Sequence, residues 1–546
     1  MTRRSLGHRA PLLWIVVPMI AGLAVGRFAG IESAAWPLGV ALVAALAAVV
    51  ASWRWERWTS PPLVVAMAAA GLGSYALHQQ HVAALDGLPP RESQVALRLE
   101  RTFSAVPGAT AVSGFAKIVR ADPRFPELLG QHIYFSLRLK KGDTPPLRSA
   151  VVVAVGKLAP LPRAPGPATF ESYLAESGVA FTLHPGRLVA VERPPNAYRV
   201  WLEHAAEKLN ALLEAGVQSK RPALTAIYRA MMLGQKRDLS SDQQQLFMQS
   251  GTMHLFAING LHIGVVAMAL HALLLLVRCP RPAAAILTLA ILWLDVDTTG
   301  SSPSAVRAWL LVAAYESAYL LRRPANGLAS LSTAALVVVL LDPFAVFSAS
   351  FQMSYGAVLA ILCFGLPLAE FLAARFAPWR SLPESSWSIP QKLVAAVLRW
   401  LWPVVGIGLA ASLVSTLTGP QFFRVLAAGG FFTNLVLVPP AMLVIVAGFA
   451  SIVAGLIGAA WLGLLFNHAA VLVLLWIDWW VRQGVRVPGG WWVAEWRAPW
   501  LGGAAFAALL LVFLAGYARG WRGWARGAWP PFAVVAVALI FGVKFG

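Results

Sequence analysis

The chain has 546 residues, of which 58% are hydrophobic and only 12% charged, and 44 Lys+Arg against 24 Asp+Glu give a formal net charge of +20. That balance excludes a soluble globular enzyme and a disordered basic protein alike, and leaves a polytopic α-helical membrane protein. The two cysteines, Cys279 and Cys363, both lie in or beside apolar segments, which argues against a structural disulfide or a Cys-based metal site.

In chain order, apolar segments at 11–29, 34–53 and 61–77 read as N-terminal transmembrane helices, a domain spanning 1–77. Arg3, Arg4 and Arg9 imitate a signal peptide, but two further spans follow closely, so the first is expected to be an uncleaved helix. Across 78–195 the hydrophobic runs disappear. Ile133, Phe135, Leu137 and Leu139 alternate with polar neighbours, the pattern of a half-buried strand, and similar runs occupy 95–102, 112–119, 150–157 and 187–192. Five short strands separated by Pro/Gly turns predict a small β-rich domain, an oligonucleotide-binding (OB) barrel being one form. Residues 196–252 read as amphipathic and linker helices, with helical spacing over 198–217. From 253 to 546 apolar runs return, at 253–277, 282–294, 304–321, 328–341, 345–374, 401–417, 425–456, 460–480, 501–517 and 532–543. The 425–456 run is too long for one simple span and carries Pro439-Pro440, so a broken or paired helix is expected there.

Short-loop arginines set the orientation. With a cytoplasmic N-terminus, Arg54 and Arg57, then Arg278 and Arg281, Arg322 and Arg323, and Arg375 and Arg380 all fall on the cytoplasmic side, whereas Asp295, Asp297 and Asp342 fall on the other. Residues 78–222 are then extracytoplasmic.

Between Arg98 and Arg163 basic residues outnumber acidic ones eleven to four. Arg138 and Lys140 share a strand face with Tyr134, placing phosphate attraction beside a ring on which a base can stack. Arg98, Lys117, Arg120, Tyr134, Arg138, Lys140 and Lys141 are the candidate DNA contacts; a merely solvated polar face fits the composition equally well. Within the membrane region, His254, Asn259 and His262 interrupt an apolar run, and Gly260 and Gly264 form a small-xxx-small pair that predicts close helix packing. On one helix the two histidines would lie about 80° apart. Ser302, Ser304 and Arg307 follow a Gly300/Pro303 break; a buried arginine there calls for a passing phosphate or for Asp295, Asp297 or Glu316. Gln352 and Asn434 add polar positions in further helices. These eight are candidate channel-lining residues. No P-loop, His-x-His-x-Asp-His or Gly-x-Ser-x-Gly pattern occurs, so no catalytic residue, metal or cofactor is assigned.

The stretches "ATFESYLAESGVAF" (168–181), "MMLGQKRDLSSDQQQLFMQSGTMHLFAINGLHIGVVA" (231–267), "SSPSAVRAWLL" (301–311), "DPFAVFSASFQMSYGAV" (342–358) and "FFTNLVLVPP" (431–440) resemble, in order, those of the ComEC family of DNA-internalisation competence proteins. The resemblance implies an external OB-like domain, a multi-helix competence domain and passage of single-stranded DNA across the bacterial inner membrane during natural transformation. It also implies partners: an external DNA receptor, a cytoplasmic motor ATPase and a separate nuclease. Many members end in a metallo-β-lactamase-like domain whose motif is not found after Trp480, so the nuclease activity associated with that domain is not expected. Members often have Ser where Asn259 stands, and their OB-like domain can carry a disulfide that this one, lacking cysteine, replaces with packing. The expectation is a non-enzymatic channel subunit for single-stranded DNA, with a transporter or export component for another anionic solute or lipid as the alternative.

Overall fold

The computed structural model describes residues 10–29, 31, 33–54, 59–85, 89–103, 111–123, 125–140, 144–162, 169–235, 238–256, 258–379, 382–521 and 528–546. The chain divides into two compact units, one of 1–212, 233–238 and 270–348, the other of 213–232, 239–269 and 349–546.

The first unit opens with three helices, α1 (Leu13–Ala29), α2 (Ala35–Arg54) and α3 (Ser60–Leu85). Glycines let α1 and α3 touch backbone to backbone: a Cβ on Gly22 would stand 1.9 Å from the Ala68 carbonyl oxygen, and one on Gly71 2.2 Å from that of Met19. The chain then leaves the helices for five strands, β1 (Arg91–Thr102), β2 (Ala111–Arg120), β3 (His132–Arg138), β4 (Val151–Pro160) and β5 (Phe181–Arg193), with helix α4 (Phe170–Glu176) between the last two. They close into a barrel in the order β1-β2-β3-β5-β4, with β3 and β5 parallel and the other pairs antiparallel. Alternation along each strand decides what is inside. Val95, Leu97, Leu99, Ile118, Ile133, Phe135, Leu137, Val152 and Leu183 fill the interior, each large side chain contributing about 1.5–3 kcal/mol by leaving water. Tyr134, Ser136 and Arg138 therefore point outward. Bulges in β1 at 96/97 and 99/101 bend it enough to pair with β2 and β4 at once. The strand expected over 132–140 stops at Arg138, so Lys140 lies beyond the sheet.

Amphipathic α5 (Ala197–Glu214), α6 (Pro222–Leu233) and α7 (Ser241–Gln249) follow, the last opened by a capping box between Ser240 and Gln243. The apolar run at 253–277 is not one helix. Met253–Phe256 is a 3₁₀ turn, and α8 (Gly260–Leu276) starts afresh because the Asn259 side chain accepts from the Leu261 and His262 amides. The first unit ends with α9 (Arg281–Thr298), α10 (Pro303–Leu320), α11 (Gly327–Leu341) and the 3₁₀ turn Pro343–Phe347.

The second unit holds α12 (Ala349–Arg375), α13 (Ile389–Phe422), α14 (Gly430–Leu456), α15 (Ala460–Arg486), α16 (Pro499–Ala518) and α17 (Pro530–Val537). A π-turn at Ile361–Gly365 widens α12, and the Trp521 Nε1 donates to the Cys363 carbonyl there at 2.7 Å. At that point Gly365 meets Gly406 of α13: a Cβ on either would stand 2.9 or 2.5 Å from the other's carbonyl oxygen. Gly260 and Gly264, by contrast, have no described atom within 4 Å of an added Cβ, so the close contact expected of that pair is not made among the described residues.

The expected break at Pro439-Pro440 is absent, since α14 runs unbroken from Gly430 to Leu456 with both prolines inside. Two N–H donors are lost, but α15 packs against α14 and holds it in helical form. What ends the run early is its start, which folds as strand β6 (Val425–Leu426). With β7 (Trp492–Trp496) and β8 (Val543–Phe545) it makes a three-stranded sheet, order β6-β7-β8. Three strands in one sheet lie at one end of the bundle, so α14 and α15 go and return, as do α16 and α17. Among the described residues, seven helices are long and apolar enough to cross a membrane, and Leu13–Ala29, Gly260–Leu276, Gly327–Leu341 and Pro530–Gly542 are shorter apolar helices.

Candidate nucleic-acid interface

The outer face of β2 and β3 carries rings. Phe115 and Tyr134 are cross-strand partners, with centroids 6.4 Å apart. Phe103, where β1 gives way to the next connection, stands 5.3 Å from Phe115 and 6.5 Å from Tyr134. From α4, in the β4–β5 connection, Phe170 meets Tyr134 at 5.1 Å and Tyr173 meets Phe115 at 6.2 Å. Phe170 and Tyr173 keep 53% and 41% of their surface exposed. The Arg101 guanidinium lies 5.5 Å from the Phe103 ring centre. Of this group the sequence singles out Tyr134 alone. The others are scattered through three elements and meet only because the barrel closes; a count of aromatics at outward strand positions would have found Phe115.

The expected basic residues do not form one patch. Arg98 and Lys117 are register partners, Lys117 being paired in turn with His132, so these three cross the sheet in a row. Arg98 is exposed and Lys117 half-buried. Arg120 lies outside that row, opposite Ala96, and is bound to Glu192 through both terminal guanidinium nitrogens, at 3.0 and 2.8 Å. Arg138 is exposed at the end of β3, beside Arg187 of β5; Lys140 is exposed past the strand. Lys141 lies outside the described residues. Glu100 binds the His132 ring at 3.0 Å, and that bond holds its carboxyl below the usual carboxylate range despite partial burial.

A second basic group, missed by sequence reasoning, surrounds Asp297. Its Oδ1 accepts from Arg148 Nη1 (3.0 Å), Arg199 Nη1 (2.7 Å) and Ser301 Oγ (2.6 Å), and its Oδ2 from Tyr198 Oη (3.0 Å). Arg148 comes from the loop before β4, Tyr198 and Arg199 from α5, Asp297 from the last turn of α9. Asp297, one of three acids expected to face Arg307, thus has its contacts with other residues. The Arg307 side chain lies one turn into α10 and is 4% exposed. Ser302 caps that helix, its Oγ accepting from the Ala305 amide at 3.3 Å and lying 3.3 Å from Ser304 Oγ.

In the second unit four of the candidate channel residues meet. Asn259 Nδ2 donates to the His254 carbonyl, which fixes Oδ1 as the end facing His262 Nδ1 at 3.2 Å. His262 Nδ1 therefore donates, and its Nε2 is an acceptor, buried with no partner among the described residues. The His254 ring bonds the Gly251 backbone, whose carbonyl also accepts from Asn434 Nδ2 at 3.4 Å. The two histidines sit on different elements, so the 80° helical relationship does not apply. Gln352 meets Gln421 at 3.5 Å. Among the described residues no group of three or more His, Cys, Asp or Glu could hold a metal ion.

A multi-pass helical membrane protein with a five-stranded, OB-like barrel whose outer face is aromatic and basic is the class that fold and site define. Residues 231–519, more than half of the chain, match the family described as Competence protein; the chain belongs to that family, and the resemblance to ComEC proteins holds. A 201-residue stretch is 26% identical to ComE operon protein 3 of Bacillus subtilis (strain 168), covering 36% of this chain and 25% of that protein. Another of 170 residues is 29% identical to an uncharacterized protein of Aquifex aeolicus (strain VF5), covering 30% of this chain and 40% of that one. These matches thus span less than half the length of either relative. No solved structure matches the chain.

Proposed function

We propose that this protein is the channel subunit through which single-stranded DNA crosses the bacterial inner membrane during natural transformation. The observation that carries this reading is the ring cluster on the β2–β3 face, flanked by Phe103 just past the end of β1 and by α4; OB barrels take up oligonucleotides on that face and on the loops beside it. Rings accept any base by stacking, while Arg98, Lys117, Arg101 and Arg138 attract phosphates, a combination suited to a strand of arbitrary sequence. Family membership supports a role in DNA uptake. In this reading the barrel is extracytoplasmic and captures the strand, and Ser302, Ser304 and Arg307 stand where it enters the helices. His254, Asn259, His262, Gln352 and Asn434 line the path, replacing part of the strand's hydration. A DNA receptor outside, a motor ATPase inside and a separate nuclease complete the system, and the protein itself performs no chemistry on the strand.

The test is uptake of labelled duplex DNA by a transformable host from which this coding sequence has been deleted. The expected result is loss of internal single strands, restored by the wild-type chain and not by Arg307→Gln at equal membrane abundance. Normal internal accumulation in the deletion strain removes the channel role.

A further inference from the structure

The Asp297 cluster sets two guanidinium groups against one carboxylate. Asp297 is 4% exposed at its side chain, Arg199 18% and Arg148 36%. Four donors occupy the carboxylate, about all its lone pairs accept, yet the three charges still sum to +1. Among the described residues, the charges with the largest effect on Arg148 do not cancel the surplus: they are Arg199 and Arg101 on one side, Asp297 and Glu100 on the other, and Glu100 also holds His132. Burial and the Arg199 charge hold the Arg148 guanidinium below its usual range. Both bonds from Arg148 to this cluster leave from Nη1, so the Nε–Nη2 edge of its fork, the edge that grips a phosphate in two places, is not used there.

The position is as telling as the charge. Arg148 precedes Ser149, whose amide donates to the Leu99 carbonyl at 2.8 Å. Two residues on in β1, Arg101 lies against Phe103 of the ring cluster. On the other side, Ser301 directly precedes Ser302, the cap of the helix that carries Arg307. The cluster therefore joins the α9–α10 turn to the barrel at the stretch of β1 that leads to the rings.

We propose that Arg148 and Arg199 form a phosphodiester-binding subsite at the junction of the barrel with the α9–α10 turn, and that Asp297 is its built-in competitor, holding the arginines when no strand is present. This rests on the single-strand reading above. A phosphate arriving from the rings takes the outer edge of Arg148 and loosens its grip on Asp297, so that strand capture weakens the link between the barrel and the helices.

The test uses the full chain in lipid nanodiscs with a fluorescent oligothymidylate, its binding followed by anisotropy over a salt series and the folded state of each variant by thermal unfolding. Arg148→Gln should weaken binding roughly five- to tenfold at low salt and reduce the slope of log K against log[salt] by about 0.7, one phosphate's share for a single strand. Arg148→Lys, which keeps the charge, should retain the slope. Asp297→Asn, which keeps the shape and removes the competitor, should tighten binding several-fold, the opposite sign. A purely structural cluster predicts weaker or unchanged binding for Asp297→Asn, and that result overturns the proposal; so does an unchanged salt slope in Arg148→Gln. If Asp297→Asn does not fold, the Gln/Lys pair at 148 decides alone. Wild-type protein that fails to bind the oligonucleotide removes the strand reading together with the subsite, whereas wild-type binding with indifferent variants removes the subsite only.

Discussion

The Tyr134 ring stands edge-on to Phe170, centroids 5.1 Å apart and planes at 79°, so that β3 and the helix of the β4–β5 connection share one aromatic surface. Each ring by itself offers a face to one base. Together with Phe115, Phe103 and Tyr173 they make a surface long enough for more than one base, and the half-exposed Phe170 is its accessible edge.

Alanine at Phe170 is therefore expected to weaken oligothymidylate binding with little effect on the melting temperature. A stacked base is worth about 1–3 kcal/mol, or roughly 5- to 150-fold in Kd. Tyr134→Phe should bind as wild type and Tyr134→Ala should not. Fluorescence titration of the purified variants checks both.

The Glu100–His132 contact gives the barrel a pH response of known sign. Glu100 is held below its ordinary range, so its share of stability is present above the unfolded carboxylate value of about 4 and is lost as pH falls through the lower folded value. Both side chains are more than a third exposed, which limits the effect to a fraction of a kcal/mol. Wild type and Glu100→Gln should differ in Tm at pH 5–6 and converge below about pH 3.

Two glycine sites should behave oppositely. At Gly406 a methyl group would stand 2.5 Å from the Gly365 carbonyl oxygen, so Gly406→Ala should cost about 1–3 kcal/mol through overpacking. Gly264→Ala meets no described atom within 4 Å and gains helix propensity, at most about 1 kcal/mol; it should be neutral or stabilising. Thermal unfolding in detergent separates them.

The β6-β7-β8 sheet predicts sidedness within the second unit. With Cys279 and Cys363 replaced by Ser, single cysteines at Val487 and Gly546 should react with an impermeant maleimide from the same side of the membrane. A cysteine at Ile457, in the turn between α14 and α15, should react from the other. Labelling of all three from one side would show that the helix pairs do not cross.

Much of the architecture is legible in the sequence, because burial periodicity is a property of the chain itself. Apolar length marked the helices, and the alternation through Ile133, Phe135 and Leu137 marked an inward face that the barrel uses as core. Where reading failed, a local rule met a distant partner. Pro439-Pro440 is a helix breaker in isolation, but α15 lies against that helix; Gly260 and Gly264 have the spacing of a packing motif, yet among the described residues no atom lies within 4 Å of a Cβ added to either. For the candidate site, residue type singled out Tyr134, Arg98 and Arg120 alike, and could not tell that Arg120 is paired with Glu192, 72 positions away.

By itself the sequence determined that this is a basic, many-helix membrane protein interrupted by a β-rich domain, since the free energy of apolar segments in lipid and of alternating strands in water depends on local composition alone. Only the tertiary structure decided which side chains share a surface. The rings of Phe103, Phe115, Tyr134 and Phe170, and the gathering of Arg148, Tyr198 and Arg199 on Asp297, arise from barrel closure and helix packing across as many as 149 positions. Pairing at that separation is fixed by the shape of the whole core, and no local spacing encodes it.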